Sequence, residues 1–195
     1  MRRGLFAASR GEESFVETMR TIMNKIQVAP PGVVEFEDNV AIKMVTCGNA
    51  HTLALSTDGS IYSWGSGESG CLGHGQEIKK CERPRLIRPS NNNIRLNNVV
   101  QIAVGGFHSM LLTDEGVIYS WGEAENGRLG TGSLTNENLP RAITYFRRAL
   151  KQTVIAIASG EAHSAAISSE EELFTWGAGS YGRLGHGDEL DKAEP

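Results

Sequence analysis

The chain has 195 residues, 39% of them hydrophobic and 22% charged, which is ordinary composition for a folded protein with a sizeable core. Its formal net charge of -4 excludes a globally basic field, so direct nucleic-acid binding is not expected outside a local patch. No apolar run approaches the roughly 18 residues of a membrane span, and Cys47, Cys71 and Cys81 lack metal-ligand spacing and read as free thiols of a reducing compartment.

The opening MRRGLFAASR carries three arginines and no acid. It reads as a solvated tail with a faint likeness to a transit peptide. The expected location is intracellular, cytoplasmic or nuclear, with mitochondrial import a minor alternative. Phe15, Met19, Ile22, Met23 and Ile26 then recur at helical spacing and predict an amphipathic helix over 12–27. Ser14 could cap it, or Glu12 and Glu13 could favour its positive end. Residues 1–29 thus form one unit and 30–195 the other. The helix would either meet a partner or cover an exposed edge of the second unit.

The second unit is repetitive. Windows 48–75, 105–132 and 160–187 align without a gap. Gly48, Gly105 and Gly160 open them; His51, His108 and His163 come after; Trp64, Trp121 and Trp176 each stand 13 residues beyond the histidine. Gly65, Gly122 and Gly177 come next, then a G-x-L-G-x-G run, and the period is 57 and then 55 residues. Within each unit His51–Ser56 and Ile61–Trp64, and their counterparts, read as strands flanking a turn. Thr57-Asp58-Gly59 and Asp114-Glu115-Gly116 supply a turn glycine; the third copy has Glu171 or Glu172 there, so a different turn type is expected. Apolar runs 41–45, 99–104 and 154–158 precede each first glycine, giving three or four strands per repeat. The G-x-L-G-x-G run is expected to be a tight loop pinned to the core by Leu72, Leu129 and Leu184. One small antiparallel sheet cannot bury its own faces, and radial stacking into a propeller solves this.

The pattern G-x-x-H-[TS], then [YF]-[ST]-W-G, then G-x-L-G-x-G resembles the regulator of chromosome condensation repeat, over about residues 40–195 and three times. The resemblance implies an all-β fold, a partial β-propeller of three four-stranded antiparallel blades out of seven. Seven blades of this period need roughly 390 residues, so a fragment or module of a larger regulatory protein is expected, incomplete at its C-terminus. Self-association or recruitment of the missing blades is expected with it.

A catalytic group is needed once, whereas His51, His108 and His163 stand in every repeat, so they are expected to be structural and held by backbone hydrogen bonds. The three tryptophans are expected at equivalent buried positions between blades. Light-sensing members of the family carry chromophore tryptophans in the G-x-x-H loop; GNAH, GGFH and GEAH have none. Nucleophile-elbow, P-loop and H-E-x-x-H patterns are missing, so no catalytic, cofactor or metal residue is assigned. Function is expected where the copies differ. The connecting segment 76–98 holds Lys79, Lys80, Arg83, Arg85, Arg88 and Arg95 against Glu77 and Glu82. It reads either as a solvated loop or as a site for an acidic partner, a GTPase, a nucleosome's acidic surface or phosphate, which Arg147, Arg148 and Lys151 of the second connecting segment would extend. The expected function is a protein-interaction scaffold; the alternative, implied by the resemblance, is guanine-nucleotide exchange on a Ran-like small GTPase.

Overall fold

The computed structural model of the chain describes residues 32–36, 40–75, 78–88 and 98–195. The helix expected over 12–27, and Arg95, lie outside them. Among the described residues no helix is long and apolar enough to cross a membrane.

Residues 34–195 form one unit made of three antiparallel sheets. Blade 1 is β1 (Ile42–Cys47), β2 (His51–Ser56), β3 (Ile61–Ser66) and β4 (Lys80–Leu86), hydrogen-bonded in that order. Blade 2 repeats it with β5 (Val99–Val104), β6 (His108–Thr113), β7 (Ile118–Gly122) and β8 (Glu137–Ala142). Blade 3 has β9 (Val154–Ser159), β10 (His163–Ser168) and β11 (Leu173–Gly177). Its fourth strand is reduced to one bridge, Gly177 to Lys192, at the position where Gly65 meets Cys81 and Gly122 meets Glu137.

The register explains the repeat pattern. His51, His108 and His163 pair across the hairpin with Gly65, Gly122 and Gly177. Each of these glycines has a φ near +105°, and a Cβ there would run into the carbonyl of the residue before the histidine. The Trp-Gly dipeptide is therefore a backbone requirement. Successive blades bury each other's faces. Leu53, Leu55 and Ile61 pack against Val99, Ile102, Val104, Leu111 and Trp121 of blade 2. Ala103, Met110, Leu112 and Ile118 pack in the same way against Val154, Ile157, Ala166 and Trp176 of blade 3. Ile167 and Leu173 hold the places of Leu112 and Ile118, yet they are 37% and 69% exposed against 1% for each of those two. This apolar face of blade 3 is the face that a following blade covers on blades 1 and 2.

One expectation about the turns is corrected. Glu171 sits at φ +62° where Gly59 and Gly116 have +87° and +71°. The closing bonds match as well, from the Gly59, Gly116 and Glu171 amides to the Ser56, Thr113 and Ser168 carbonyls at 3.1, 2.9 and 3.0 Å. The third hairpin keeps the same turn because cross-strand pairing fixes it, and Glu171 bears the strain of left-handed backbone. Glu171→Gly is expected to stabilise the protein by about 0.5–1 kcal/mol, less than the full strain because glycine loosens the unfolded chain. Urea unfolding of the two proteins checks the sign.

Candidate functional site

The residues common to all repeats form a clasp between blades. Ser109 Oγ donates to the carbonyl of Cys71 (3.0 Å), and the Trp121 indole N–H donates to the same oxygen (2.9 Å). With its proton committed, Ser109 Oγ accepts from His51 Nε2–H at 2.9 Å. The next pair of blades repeats this: Ser164 Oγ and Trp176 Nε1 converge on the Arg128 carbonyl at 2.9 and 3.1 Å, and His108 Nε2 reaches Ser164 Oγ at 2.9 Å. The histidine thus reaches forward to the serine of the next blade, and the tryptophan reaches back under the loop of the previous one. Gly73 and Gly130 lie against the indoles of Trp121 and Trp176, where a Cβ would collide. The opening glycines have a parallel reason, since a Cβ at Gly105 or Gly160 would overlap the ring of His108 or His163.

His51 and His108 each bridge two blades. The expected backbone partner is corrected, however: where the partner is seen, the ring is held by a serine side chain, the residue read only as [TS] in the pattern. Equal burial of the tryptophans is corrected too. Trp121 and Trp176 are fully buried, whereas Trp64 is half-buried. No loop of a preceding blade lies over it among the described residues, and Phe36 packs edge-on against it at 6.0 Å. His163 is half-buried, and no serine of a further blade meets its ring among the described residues. Leu72, Leu129 and Leu184 are buried as expected.

The basic segment departs from the repeat and builds a cavity. Lys80–Leu86 is not a loop but the outermost strand β4. Arg85 pairs with Ser63 and Cys81 with Gly65, and the register shifts between these two pairs, so Arg83 lies in an irregular stretch of the strand. A cavity of about 540 Å³ opens there, lined by His74, Cys81, Arg83, Pro84, Arg85, Leu86 and Arg88. Lys79, Lys80, Arg83, Arg85 and Arg88 are all exposed. Lys80 pairs with Glu82 at 2.8 Å, an exposed contact. No carboxylate pairs with Lys79, Arg83, Arg85 or Arg88 among the described residues. His74 forms the inner wall. Ser63 Oγ donates to the Leu72 carbonyl at 2.7 Å and so accepts from His74 Nε2–H at 2.9 Å. Burial, helped by the Arg85 charge, pushes His74 down to about 4, leaving it neutral near pH 7.

The other cationic and nucleophilic residues do not join this cavity. Arg147 faces Glu115 across 3.6 Å, and Lys151 Nζ donates to the Arg148 carbonyl at 3.2 Å. Arg128 is buried and ion-paired with Glu123, an arrangement sequence reasoning missed. Burial raises the Cys71 thiol to about 12, which leaves it unreactive. No group of three or more potential metal ligands occurs among the described residues.

The family model of the regulator of chromosome condensation (RCC1) repeat matches residues 58–112, 115–167 and 170–195. The chain belongs to the RCC1 repeat family. A second RCC1 repeat model matches residues 42–71 and 99–128. The chain is 34% identical over 167 residues to the human E3 ubiquitin-protein ligase HERC2, covering 85% of this chain and 3% of that protein. It is 38% identical over 159 residues to the ultraviolet-B receptor UVR8 of Arabidopsis thaliana, covering 81% of this chain and 34% of the receptor. Among solved structures, human WBSCR16 matches with a TM-score of 0.73 and 30% identity over 85% of this chain and 42% of its own. Prp20p of Saccharomyces cerevisiae, solved in a study of its binding to Gsp1p and histones, matches at 0.66 with 23% identity over 79% and 37%. The chain therefore spans about a third or less of those curated relatives, and the part shared is the RCC1 propeller. Within it, the histidine, tryptophan and glycines of the clasp recur in all three repeats, whereas the residues around the cavity of blade 1 differ from their counterparts in blade 2.

Proposed function

We propose that this chain is a protein-interaction module that docks an acidic partner on the outer strand of blade 1. The observation that carries the reading is the row of arginines around the cavity, exposed and without carboxylate partners among the described residues, in a protein whose net charge is -4. Uncompensated positive charge adds nothing to folding, and a rigid sheet holds it at fixed spacing for a partner. The HERC2 likeness supports a module within a larger regulator, since the matched part is a small fraction of that ligase.

Exchange on a Ran-like GTPase is the second reading. The likeness to Prp20p supports it through fold alone. Exchange needs only tighter binding of the nucleotide-free GTPase, with no reactive side chain. Release of labelled GDP from Ran, measured with and without the chain, separates the readings: unchanged release leaves the interaction module, and acceleration establishes exchange.

Reversing Lys79, Lys80, Arg83, Arg85 and Arg88 to Glu is expected to leave thermal stability nearly unchanged, within about 0.5 kcal/mol per site for exposed residues. Binding to an acidic partner should fall at least tenfold, most at low salt where screening is least. Retained binding to the reversed protein in a pull-down would place the partner elsewhere.

A further inference from the structure

We propose that the cavity of blade 1 is a seat for a phosphate monoester on the docked partner, held by Arg83, Arg85 and Arg88. The inference rests on the docking reading and specifies the group recognised. Blade 2 serves as an internal comparison. It presents the same backbone at the same place, because Arg141 pairs with Ser120 as Arg85 pairs with Ser63. The strand ends also match, with Ile87 and Ile143 donating to the carbonyls of Ile61 and Ile118 at 2.8 and 2.9 Å. Position by position, blade 1 has His74, Cys81, Arg83, Arg85 and Arg88 where blade 2 has Thr131, Glu137, Leu139, Arg141 and Thr144.

The differences act in one direction. In blade 2 the single arginine, Arg141, is neutralised by Glu137 on its own strand. In blade 1 the position of that glutamate holds Cys81, and two further arginines are added. The fold tolerates the neutral arrangement, so the charge of blade 1 is not a requirement of the repeat.

Three features favour a compact multivalent anion. Arginine offers a planar fork of donors that suits phosphate, and several forks around one cavity suit a group with three terminal oxygens better than one carboxylate. Pro84 sits mid-strand on the β4 edge and lacks an N–H, so an added peptide strand would find an interrupted ladder. Recognition therefore falls to side groups entering the cavity. A long polyanion such as RNA would gain affinity by neutralising many phosphates, and the chain as a whole is acidic, with a net charge of -4.

The full chain should be screened against a degenerate peptide library with a fixed central phosphothreonine, against the same library with Thr or Glu there, and against a single-stranded RNA 12-mer. Wild type is expected to retain the phosphothreonine library at least tenfold over both peptide controls and over the RNA. Arg83→Leu with Cys81→Glu, which copies blade 2 into blade 1, should abolish that preference while matching wild type in circular dichroism and melting. Equal retention of the Glu library overturns the phosphate seat and leaves acidic docking standing. Retention of neither anionic library overturns both. Preference for RNA, or a phosphothreonine preference that survives in the double variant, overturns the assignment of this cavity.

Discussion

Trp121→Ala and Trp176→Ala are each expected to lower stability by about 3–5 kcal/mol, the range for a large aromatic removed from a well-packed site. Each indole is fully buried and supplies one of two donors to a carbonyl of the neighbouring blade. Truncation opens a cavity under Gly73 or Gly130 and loosens the adjacent serine and histidine. Trp64→Ala, at the same sequence position in its repeat, should cost no more than about 2 kcal/mol, because a half-buried side chain returns less transfer free energy. Urea unfolding of the three variants measures the series. Equal losses would mean that the tryptophan stabilises its own blade and not the junction between blades.

Stability is expected to fall steeply as pH drops from 6.5 to about 4.5. Burial pushes His51 down to about 4, and burial beside the Arg128 charge pushes His108 down to about 3. Both rings are therefore neutral in the folded protein across a range where the unfolded chain already binds protons near 6.5. The unfolded state holds more protons, so the stability these groups support is complete above pH 6.5 and is lost as pH falls toward the folded values. Each histidine contributes a slope of about 1.4 kcal/mol per pH unit. Two together remove up to about 5 kcal/mol between pH 6.5 and 4.5, comparable with the whole stability of a typical domain. His74 shifts in the same direction but is more open, so it adds less. His108→Gln keeps a donor for Ser164 and removes the titration, and about half of the slope should vanish with it. Denaturant midpoints taken from pH 7.5 to 4.5 give the answer; a flat profile in wild type would show that the rings are already solvated or protonated at neutral pH.

The fold was legible because its rules recur. Trp-Gly, G-x-x-H and G-x-L-G-x-G each answer to a backbone contact that admits no Cβ or to a ring that bridges two blades, and a demand met three times leaves a periodic trace. What the sequence could not reveal is how a residue's surroundings depend on the blade beside it. Trp64 and Trp121 have the same local pattern and different burial because only one lies beneath a preceding loop. Glu171 looked like a change of turn, yet strand pairing held the turn and forced the residue to comply. Ser109, next to His108, carried a signal that local reading treated as a strand residue, since its partners are 38 and 58 residues away in the chain. Lys79 to Arg88 were visible as a charge cluster, but their strand geometry and the contrast with Glu137 and Arg141 follow from the register of the two blades.

Repeat residues bridge the blades, and the docking proposal rests on the basic cavity of blade 1. An NMR titration of the full, isotopically labelled chain with a hexaglutamate peptide at low salt tests this division without knowledge of the partner. Amide shifts are predicted at Lys79, Lys80, Arg83, Arg85 and Arg88 and ring shifts at His74, fading as salt is raised, with the equivalent strand Glu137–Ala142 unmoved. Shifts centred on blades 2 and 3, or none at all, would contradict it.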